Sequence, residues 1–176
     1  MKTRKVDVRL EDDNGKIIFE KKQFEVPEEW TDRAALICAS KYAMTNENGA
    51  LDIIDRVVSQ ITEWGIKQGY FDEEARTPES LDFKIKLYNI LINQRAAFNS
   101  PVWFNVGSDT KTNMASACYI LPVEDNMEDI FNHGEHEGMI FAGGSGAGLN
   151  ISKLRGKGEL LSNGGTSSGQ IGRAHV

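Results

Sequence analysis

The sequence of 176 residues has little cysteine and no long apolar run. Its two cysteines, Cys38 and Cys118, are too few for a disulfide scaffold or a complete metal site. No apolar stretch approaches ~18 residues, so no transmembrane helix is expected, and the start MKTRKVDVRL is too charged for a signal peptide. These absences favour a cytoplasmic protein with reduced thiols.

Basic residues are also in deficit. Twenty Lys and Arg stand against 26 Asp and Glu, which gives a formal net charge of -6. Nucleic acids and anionic membranes are usually bound by a basic face, so we expect neither as a partner. The sequence has no internal repeats, and its composition is that of an ordinary globular domain with a sizeable core.

Residues 1–98 predict a hairpin followed by helices. Val6, Val8 and Leu10 alternate with polar residues before an Asn-Gly turn, and Pro27 ends the hairpin. Apolar residues then recur at helical spacing in three segments. Their predicted apolar faces are Trp30, Ala34, Ile37, Cys38 and Tyr42; Ile53, Ile54, Val57, Val58, Ile61 and Trp64; and Leu81, Ile85, Tyr88, Leu91 and Ile92.

From residue 99 the pattern changes. Pro101 disfavours helix at the residue before it, and an irregular polar stretch is predicted up to about Ala115. Residues 116–123 predict a buried strand. A helix capped at Asp125 should follow, with interruptions at its two glycines, Gly134 and Gly138. The sequence thus indicates that an α/β domain begins near residue 116.

Cys118 lies between two segments suited to binding phosphates and hydroxyls, FNSPVWFN from Phe98 and GGSGAGLN from Gly143. It is either an inert buried thiol, as free cysteines often are, or a redox thiol beside a nucleotide. The turn at 143–148 lacks the spacing of dinucleotide-binding and P-loop motifs. Its glycines permit either a tight turn or close approach of backbone N–H groups to an anion. The same alternatives hold for GGTSSG at 164–169.

Other polar residues have ordinary interpretations. His133, Glu135, His136 and Glu137 are best explained as a solvated helix face, so no metal site is predicted. Cys38 lies on an apolar helix face and is predicted to be core. Asp125 fits a capping role, and Arg155 fits a surface charge.

Taken in order, these segments resemble the large catalytic chain of ribonucleotide reductases, closest to the adenosylcobalamin-dependent (class II) branch. The resemblance covers roughly residues 25–169, and only the ordered combination is specific. The matching blocks are ITEWGI from Ile61, GYF from Gly69, FNSPVWFNVG from Phe98, SACYILPVEDNMEDI from Ser116, EGMIFAGGSGAGLNISKLRG from Glu137 and GGTSSG from Gly164.

The resemblance implies a truncated α/β fold: a hairpin and helical region (1–98) that leads into the first part of a ten-stranded α/β barrel (99–169). It also implies radical reduction of ribonucleotides, with diphosphates as the expected substrates, to deoxyribonucleotides for DNA synthesis and repair. Adenosylcobalamin would generate a thiyl radical on a barrel cysteine, and two further cysteines would become a disulfide. Cobalamin would be bound mostly by residues beyond this chain.

Residue by residue, Cys118 matches the first cysteine of the redox-active pair. Ser100, Ala117, Cys118 and Gly146 match substrate contacts. Asp125 and Arg155 match the site of an allosteric deoxynucleotide effector beside the interface of a homodimer. The expected reductant is thioredoxin-like. Because the thiyl cysteine and the second redox cysteine should lie beyond residue 176, the chain by itself is expected to be inactive.

The last seven residues, QIGRAHV at 170–176, depart from the family pattern, which continues there with an apolar segment containing proline. They can be encoded by CAGATCGGAAGAGCACACGTC, which from its second base onward is the start of a widely used sequencing-library adapter. We therefore expect this tail not to be sequence of the gene. Two alternatives stay open: a class I, iron-dependent large chain, and a non-catalytic module that binds deoxynucleotides.

Overall fold

The computed structural model describes residues 1–71, 77–108, 114–161 and 164–169. By its contacts the chain divides into two compact units, Met1–Ala115 (unit 1) and Ser116–Val176 (unit 2). Unit 1 opens with an antiparallel hairpin of β1 (Thr3–Glu11) and β2 (Ile17–Pro27). The Asp12 carboxylate accepts hydrogen bonds from the backbone N–H groups of Asn14 and Lys16, at 3.0 and 2.8 Å, and so closes the turn. The predicted hairpin is confirmed.

Four α-helices follow in the described part of unit 1, and the three predicted from the sequence are among them. They are α1 (Asp32–Ile37), which continues into a π-helical turn (Cys38–Tyr42), α2 (Ala50–Lys67), α3 (Pro78–Ile92) and α4 (Ser100–Asn105). Helix α2 is central, because its buried residues contribute to all three hydrophobic clusters of the unit. These residues are Ile53, Ile54, Val57 and Val58.

Two features of unit 1 differ from the predictions. The predicted face of α3 is only partly right, since Leu91 and Ile92 are buried but Leu81 and Ile85 are exposed. Helix α4 lies where an irregular stretch was predicted. Pro101 is tolerated there because the first turn of a helix makes no use of its missing N–H. The apolar residues that follow Pro101 pack against α2. Helix α4 therefore belongs to unit 1, and the contacts divide the chain after Ala115. The predicted domain boundary after residue 98 remains a prediction.

Unit 2 is a strand–helix–strand unit made of β3 (Cys118–Leu121), α5 (Met127–Ala142) and β4 (Gly146–Leu149), with the strands parallel. The strand predicted within residues 116–123 is confirmed as β3, but its predicted burial is wrong, because this sheet has only two strands among the described residues and Ile120 is 86% exposed. The predicted interruptions of the helix are wrong too. α5 runs through Gly134 and Gly138, since an isolated glycine lowers helix stability by only about 1 kcal/mol.

No helix within the described ranges is long and apolar enough to cross a membrane.

Candidate functional site

The parallel pairing of β3 with β4 brings three predicted substrate contacts together. Cys118, the first residue of β3, pairs in register with Gly146, the first residue of β4. The backbone N–H of Gly146 donates to the carbonyl of Ala117 at 2.8 Å. Cys118 is exposed and has no disulfide partner. Ala117, Cys118 and Gly146 therefore form a continuous surface around an accessible thiol.

The glycine at position 146 has a steric consequence for this surface. Side chains of residues paired across neighbouring strands lie on the same face of a sheet, so position 146 is next to the Cys118 thiol. A Cβ atom at position 146 would come within 4 Å of one described atom outside its chain neighbours, the Ala117 carbonyl oxygen at 3.7 Å. Glycine is therefore not required by packing in unit 2, but it leaves the space beside the thiol open.

The turn between α5 and β4 distinguishes between the two interpretations of the Gly-rich segment, a tight turn and an anion site. The N–H of Gly144 donates to Phe141 at 3.0 Å, and the N–H of Ser145 donates to Ile140 at 3.2 Å. This is a Schellman motif, and Gly144 has the positive φ, 77°, that it needs. The N–H groups of residues 143–146 all bind carbonyl oxygens of the chain, which supports the tight turn rather than an anion site.

Ser145 links this turn to the start of β3. Its side chain is buried, and its Oγ donates to the carbonyl of Ser116 at 2.5 Å. Together with the bond from Gly146 to Ala117, this contact fixes the backbone of the two residues that precede Cys118. The Gly-rich turn therefore anchors the segment that leads into Cys118.

The second Gly-rich segment, at 164–169, is folded back on the chain. Ser167 is buried, and its backbone exchanges hydrogen bonds with Gly158 and Glu159 at 2.9 and 2.8 Å. Gly169 has a φ of 84°, and a Cβ atom there would lie 3.2 Å from the backbone nitrogen of Lys157. Both features indicate a structural glycine in a closed loop. Of the three hydroxyl residues, Thr166 and Ser168 are exposed.

The two predicted effector contacts lie together at the carboxyl ends of the strands. The guanidinium of Arg155 forms an ion pair with the Asp125 carboxylate, and its Nη2 also donates to the Asp125 carbonyl at 3.3 Å. A second ion pair joins Lys153 to Glu124. Two cations that follow β4 thus meet two carboxylates that follow β3. The carboxyl ends of parallel strands are where ligands of open α/β sheets commonly bind.

Asp125 does not cap α5, as the sequence had suggested. Asn126 is the cap, and its side chain accepts a hydrogen bond from the N–H of Asp129 at 2.8 Å. The carboxylate of Asp125 is engaged by Arg155 instead. The capping interpretation of Asp125 is wrong, and the same geometry shows that Arg155 is not an isolated surface charge.

The second thiol, that of Cys38, differs from the Cys118 thiol in its burial. It packs against the hydrophobic core of unit 1, as predicted, and lines a cavity of about 420 Å³ with Trp30 and Trp103. Burial, with a smaller contribution from the Glu47 charge, raises the pKa of Cys38 to about 12. Cys38 is therefore a thiol and not a thiolate at neutral pH, and it is a poor nucleophile.

Ser100, the fourth predicted substrate contact, belongs to unit 1, where it is the first residue of α4. Its side chain is exposed, and its Oγ lies 3.2 Å from the phenolic oxygen of Tyr42. Glu135 and His136 on α5 are exposed, as expected for a solvated face, whereas His133 and Glu137 are partly buried. In the described part of the chain, no three His, Cys, Asp or Glu side chains are placed to bind a metal ion.

Comparisons with known proteins identify the family to which the chain is similar. A family model described as class II vitamin B12-dependent ribonucleotide reductase matches residues 4–45, and one described as the barrel domain of ribonucleotide reductase matches residues 116–176. The vitamin B12-dependent ribonucleotide reductase of Streptomyces clavuligerus is 42% identical over 164 residues, which cover 90% of this chain and 17% of that protein. The vitamin B12-dependent ribonucleoside-diphosphate reductase of Thermoplasma acidophilum is 29% identical over 68% of this chain and 16% of its own length.

Among solved structures, the class Id ribonucleotide reductase alpha subunit of Actinobacillus ureae superposes with a TM-score of 0.62 at 18% identity. The match covers 82% of this chain and 24% of that subunit, and it establishes a shared mixed α/β fold. This chain spans about one sixth of the length of the two relatives named above. Residues 170–176 fall within the barrel match but outside the described residues, so the adapter origin of this tail stays a prediction.

Proposed function

Because the chain belongs to the class II, vitamin B12-dependent ribonucleotide reductase family, we propose that it is part of an enzyme that reduces ribonucleotides to deoxyribonucleotides for DNA synthesis and repair. The observation that carries the proposal is the exposed Cys118 thiol beside Gly146. An accessible thiol next to a position without a side chain can meet the ribose of a nucleotide. The family match over residues 4–45 favours the class II branch over the class I alternative.

The proposed chemistry needs three cysteines. A thiyl radical on one cysteine abstracts the ribose 3′-hydrogen, and the 2′-hydroxyl leaves as water. Cys118 and a second cysteine supply two electrons and two protons, of which one proton goes to the leaving hydroxyl and one to C2′. The two cysteines form a disulfide and are reduced again by a thioredoxin-like dithiol, while the 3′-hydrogen returns to the sugar. Since this chain contains only Cys118 and the core residue Cys38, the 176 residues alone should have no reductase activity.

The finer assignments also belong to this proposal. Ser100, Ala117, Cys118 and Gly146 would contact the substrate, for which we favour a ribonucleoside diphosphate, as in the name of the Thermoplasma relative. Unit 2 would supply the first strands of a ten-stranded barrel. Adenosylcobalamin would be the radical source. Because this chain spans only about one sixth of its relatives' length, we assign most of the cobalamin contacts to segments that the longer relatives have in addition.

Asp125 and Arg155 would bind a deoxynucleotide effector near the interface of a homodimer. A carboxylate accepts a hydrogen bond from a ribose hydroxyl, and a guanidinium binds phosphate through paired N–H groups. In the structure these two groups neutralise each other. An effector that binds both groups would have to separate them, so its affinity includes the loss of this ion pair.

The test is the formation of deoxyribonucleotide from cytidine diphosphate by the product of the complete gene, with dithiothreitol, in the presence and absence of adenosylcobalamin. We expect turnover with the cobalamin and none without it. Turnover that instead requires a separate iron-containing radical subunit would establish the class I alternative. Binding of deoxynucleotides without reduction under either condition would establish the non-catalytic module.

A further inference from the structure

The hydroxyl of Ser100 faces an aromatic residue that the substrate assignment does not include. The Tyr42 phenolic oxygen lies 3.2 Å from Ser100 Oγ, although 58 positions separate the two residues in the sequence. Both residues belong to unit 1. A contact between such distant residues depends on how their two segments are held.

The segment of Tyr42 is held by an unusual backbone turn and by ring contacts. Residues Cys38–Tyr42 form a π-helical turn, closed by a hydrogen bond from the N–H of Ala43 to the carbonyl of Cys38 at 3.1 Å. Such turns are rare and often occur at functional sites. The Tyr42 ring lies against the rings of Trp103 and Phe104, with centroid distances of 6.3 and 5.4 Å.

The segment of Ser100 is held by Trp103, whose ring also contacts the ring of Tyr42. The indole N–H of Trp103 donates to the Phe98 carbonyl at 3.0 Å, which fixes the chain across the first turn of α4. Arg56 Nη2 then donates to the Trp103 carbonyl at 3.0 Å and to the Tyr42 carbonyl at 3.4 Å. One guanidinium therefore joins the two backbones that bear the hydroxyls, so the contact between Tyr42 and Ser100 is built into the fold.

A serine hydroxyl has a single proton and two lone pairs, and a phenol is the more acidic of the two hydroxyls. When the phenol of Tyr42 donates to Ser100 Oγ, the proton of Ser100 is free to point toward a ligand. Hydrogen bonds arranged in such a chain polarise and strengthen one another. The arrangement suits an acceptor oxygen of a nucleotide, either on phosphate or on ribose.

We propose that Tyr42 is a positioning residue for the nucleotide substrate, which orients the Ser100 hydroxyl as a donor to a substrate oxygen. This inference rests on the proposed function, because Ser100 is taken from it as a substrate contact. Tyr42 does not touch the reacting atoms, so its hydroxyl should affect the binding of substrate and not the chemical step.

The test compares Tyr42→Phe with Tyr70→Phe in the product of the complete gene. Tyr70 is 81% exposed and serves as the matched control. Tyr42→Phe keeps the packed ring and should raise the KM for cytidine diphosphate about three- to tenfold, the effect of one hydrogen bond, with kcat within about twofold. Ser100→Ala should raise KM at least as much, and Tyr42→Phe should add nothing further in the Ser100→Ala background.

Three results would overturn the inference: a KM for Tyr42→Phe equal to that for Tyr70→Phe, a fall in kcat at unchanged KM, or additive effects with Ser100→Ala. If the wild-type protein reduces no ribonucleotide, the proposed function fails separately. Equilibrium binding of cytidine diphosphate to the same variants then decides the inference. Wild-type protein that does not bind this nucleotide would refute it as well.

Discussion

Replacing Arg56 by alanine removes the cation that holds several segments of unit 1 together. Its Nε donates to the Glu47 carboxylate at 2.7 Å. Its Nη1 donates to the Val106 carbonyl at 2.6 Å, and its Nη2 donates to the Trp103 carbonyl at 3.0 Å. The Arg56 and Glu47 side chains are only 12% and 7% exposed. Water can therefore do little to replace these contacts, and the Glu47 charge would remain buried.

The size of the effect follows from this burial. Removing one partner of a buried ion pair destabilises a protein by about 3–5 kcal/mol, a large share of the roughly 5–15 kcal/mol that stabilises an ordinary domain. With a urea dependence of about 2 kcal/mol per molar, the unfolding midpoint should fall by about 2 M. Glu47→Gln in the same background should recover part of this loss, because it removes the unpaired charge.

Urea unfolding followed by tryptophan fluorescence measures this effect in the 176-residue chain. All three tryptophans, Trp30, Trp64 and Trp103, lie in unit 1, so the signal reports on that unit alone. Arg33→Ala is the control, since Arg33 is exposed on α1 and should change the free energy of unfolding by less than about 0.5 kcal/mol. An Arg56→Ala midpoint equal to that of the control would refute the stabilising role of the buried pair.

Three further results are expected. Gly144→Ala should lower the free energy of unfolding, followed by helical circular dichroism, by about 1–2 kcal/mol because position 144 has a positive φ. Gly134→Ala, with open space around it, should raise the same free energy by about 0.5–1 kcal/mol. Iodoacetamide at pH 8 should label Cys118 and spare Cys38, whose labelling should rise only as the pH approaches its pKa of about 12; equal rates would contradict the difference in burial. In the complete protein, Arg155→Ala should weaken deoxynucleotide effector binding by about tenfold or more in equilibrium dialysis; unchanged affinity would place the effector elsewhere.

The elements that the sequence predicts well are those set by local patterns. The β1–β2 hairpin follows from alternation and an Asn-Gly turn, and α2 follows from a long, strongly periodic apolar face. Both patterns lie within one stretch of chain and need no knowledge of distant residues. The Schellman turn at Gly144 was one of two open readings, and hydrogen bonds at the end of α5 decide between them.

The errors occur where a distant partner decides the outcome. Helix α4 exists because its apolar residues pack on α2, which outweighs the turn-like composition around Pro101. The sequence predicts that Ile120 is buried. Among the described residues, however, β3 pairs only with β4, and Ile120 is exposed. In both cases the sequence shows correctly which residues are apolar, but tertiary contacts determine whether they form a helix and whether they are buried.

In the candidate site, too, the residues were predicted from local motifs, whereas their contacts were not. Cys118, Gly146, Asp125 and Arg155 come from motif order, and the structure places them in two pairs, Cys118 with Gly146 and Asp125 with Arg155. The matching charges at 124–125 and at 153 and 155 were a signal for the two ion pairs. Tyr42 had no comparable signal, because it also fits the apolar face of a helix and meets Ser100 only in the folded chain.

The most direct test of the central claim is the number of turnovers made by Cys118→Ser in the complete protein, with Cys38→Ala as control. Serine is nearly isosteric but cannot form a disulfide. With adenosylcobalamin and a thioredoxin-like reductant, Cys118→Ser should bind the ribonucleotide and still cleave the cobalt–carbon bond, because we expect the thiyl radical on another cysteine. It should make no repeated turnovers, whereas Cys38→Ala should continue to turn over. Sustained reduction by Cys118→Ser at the wild-type rate would contradict the redox role of Cys118.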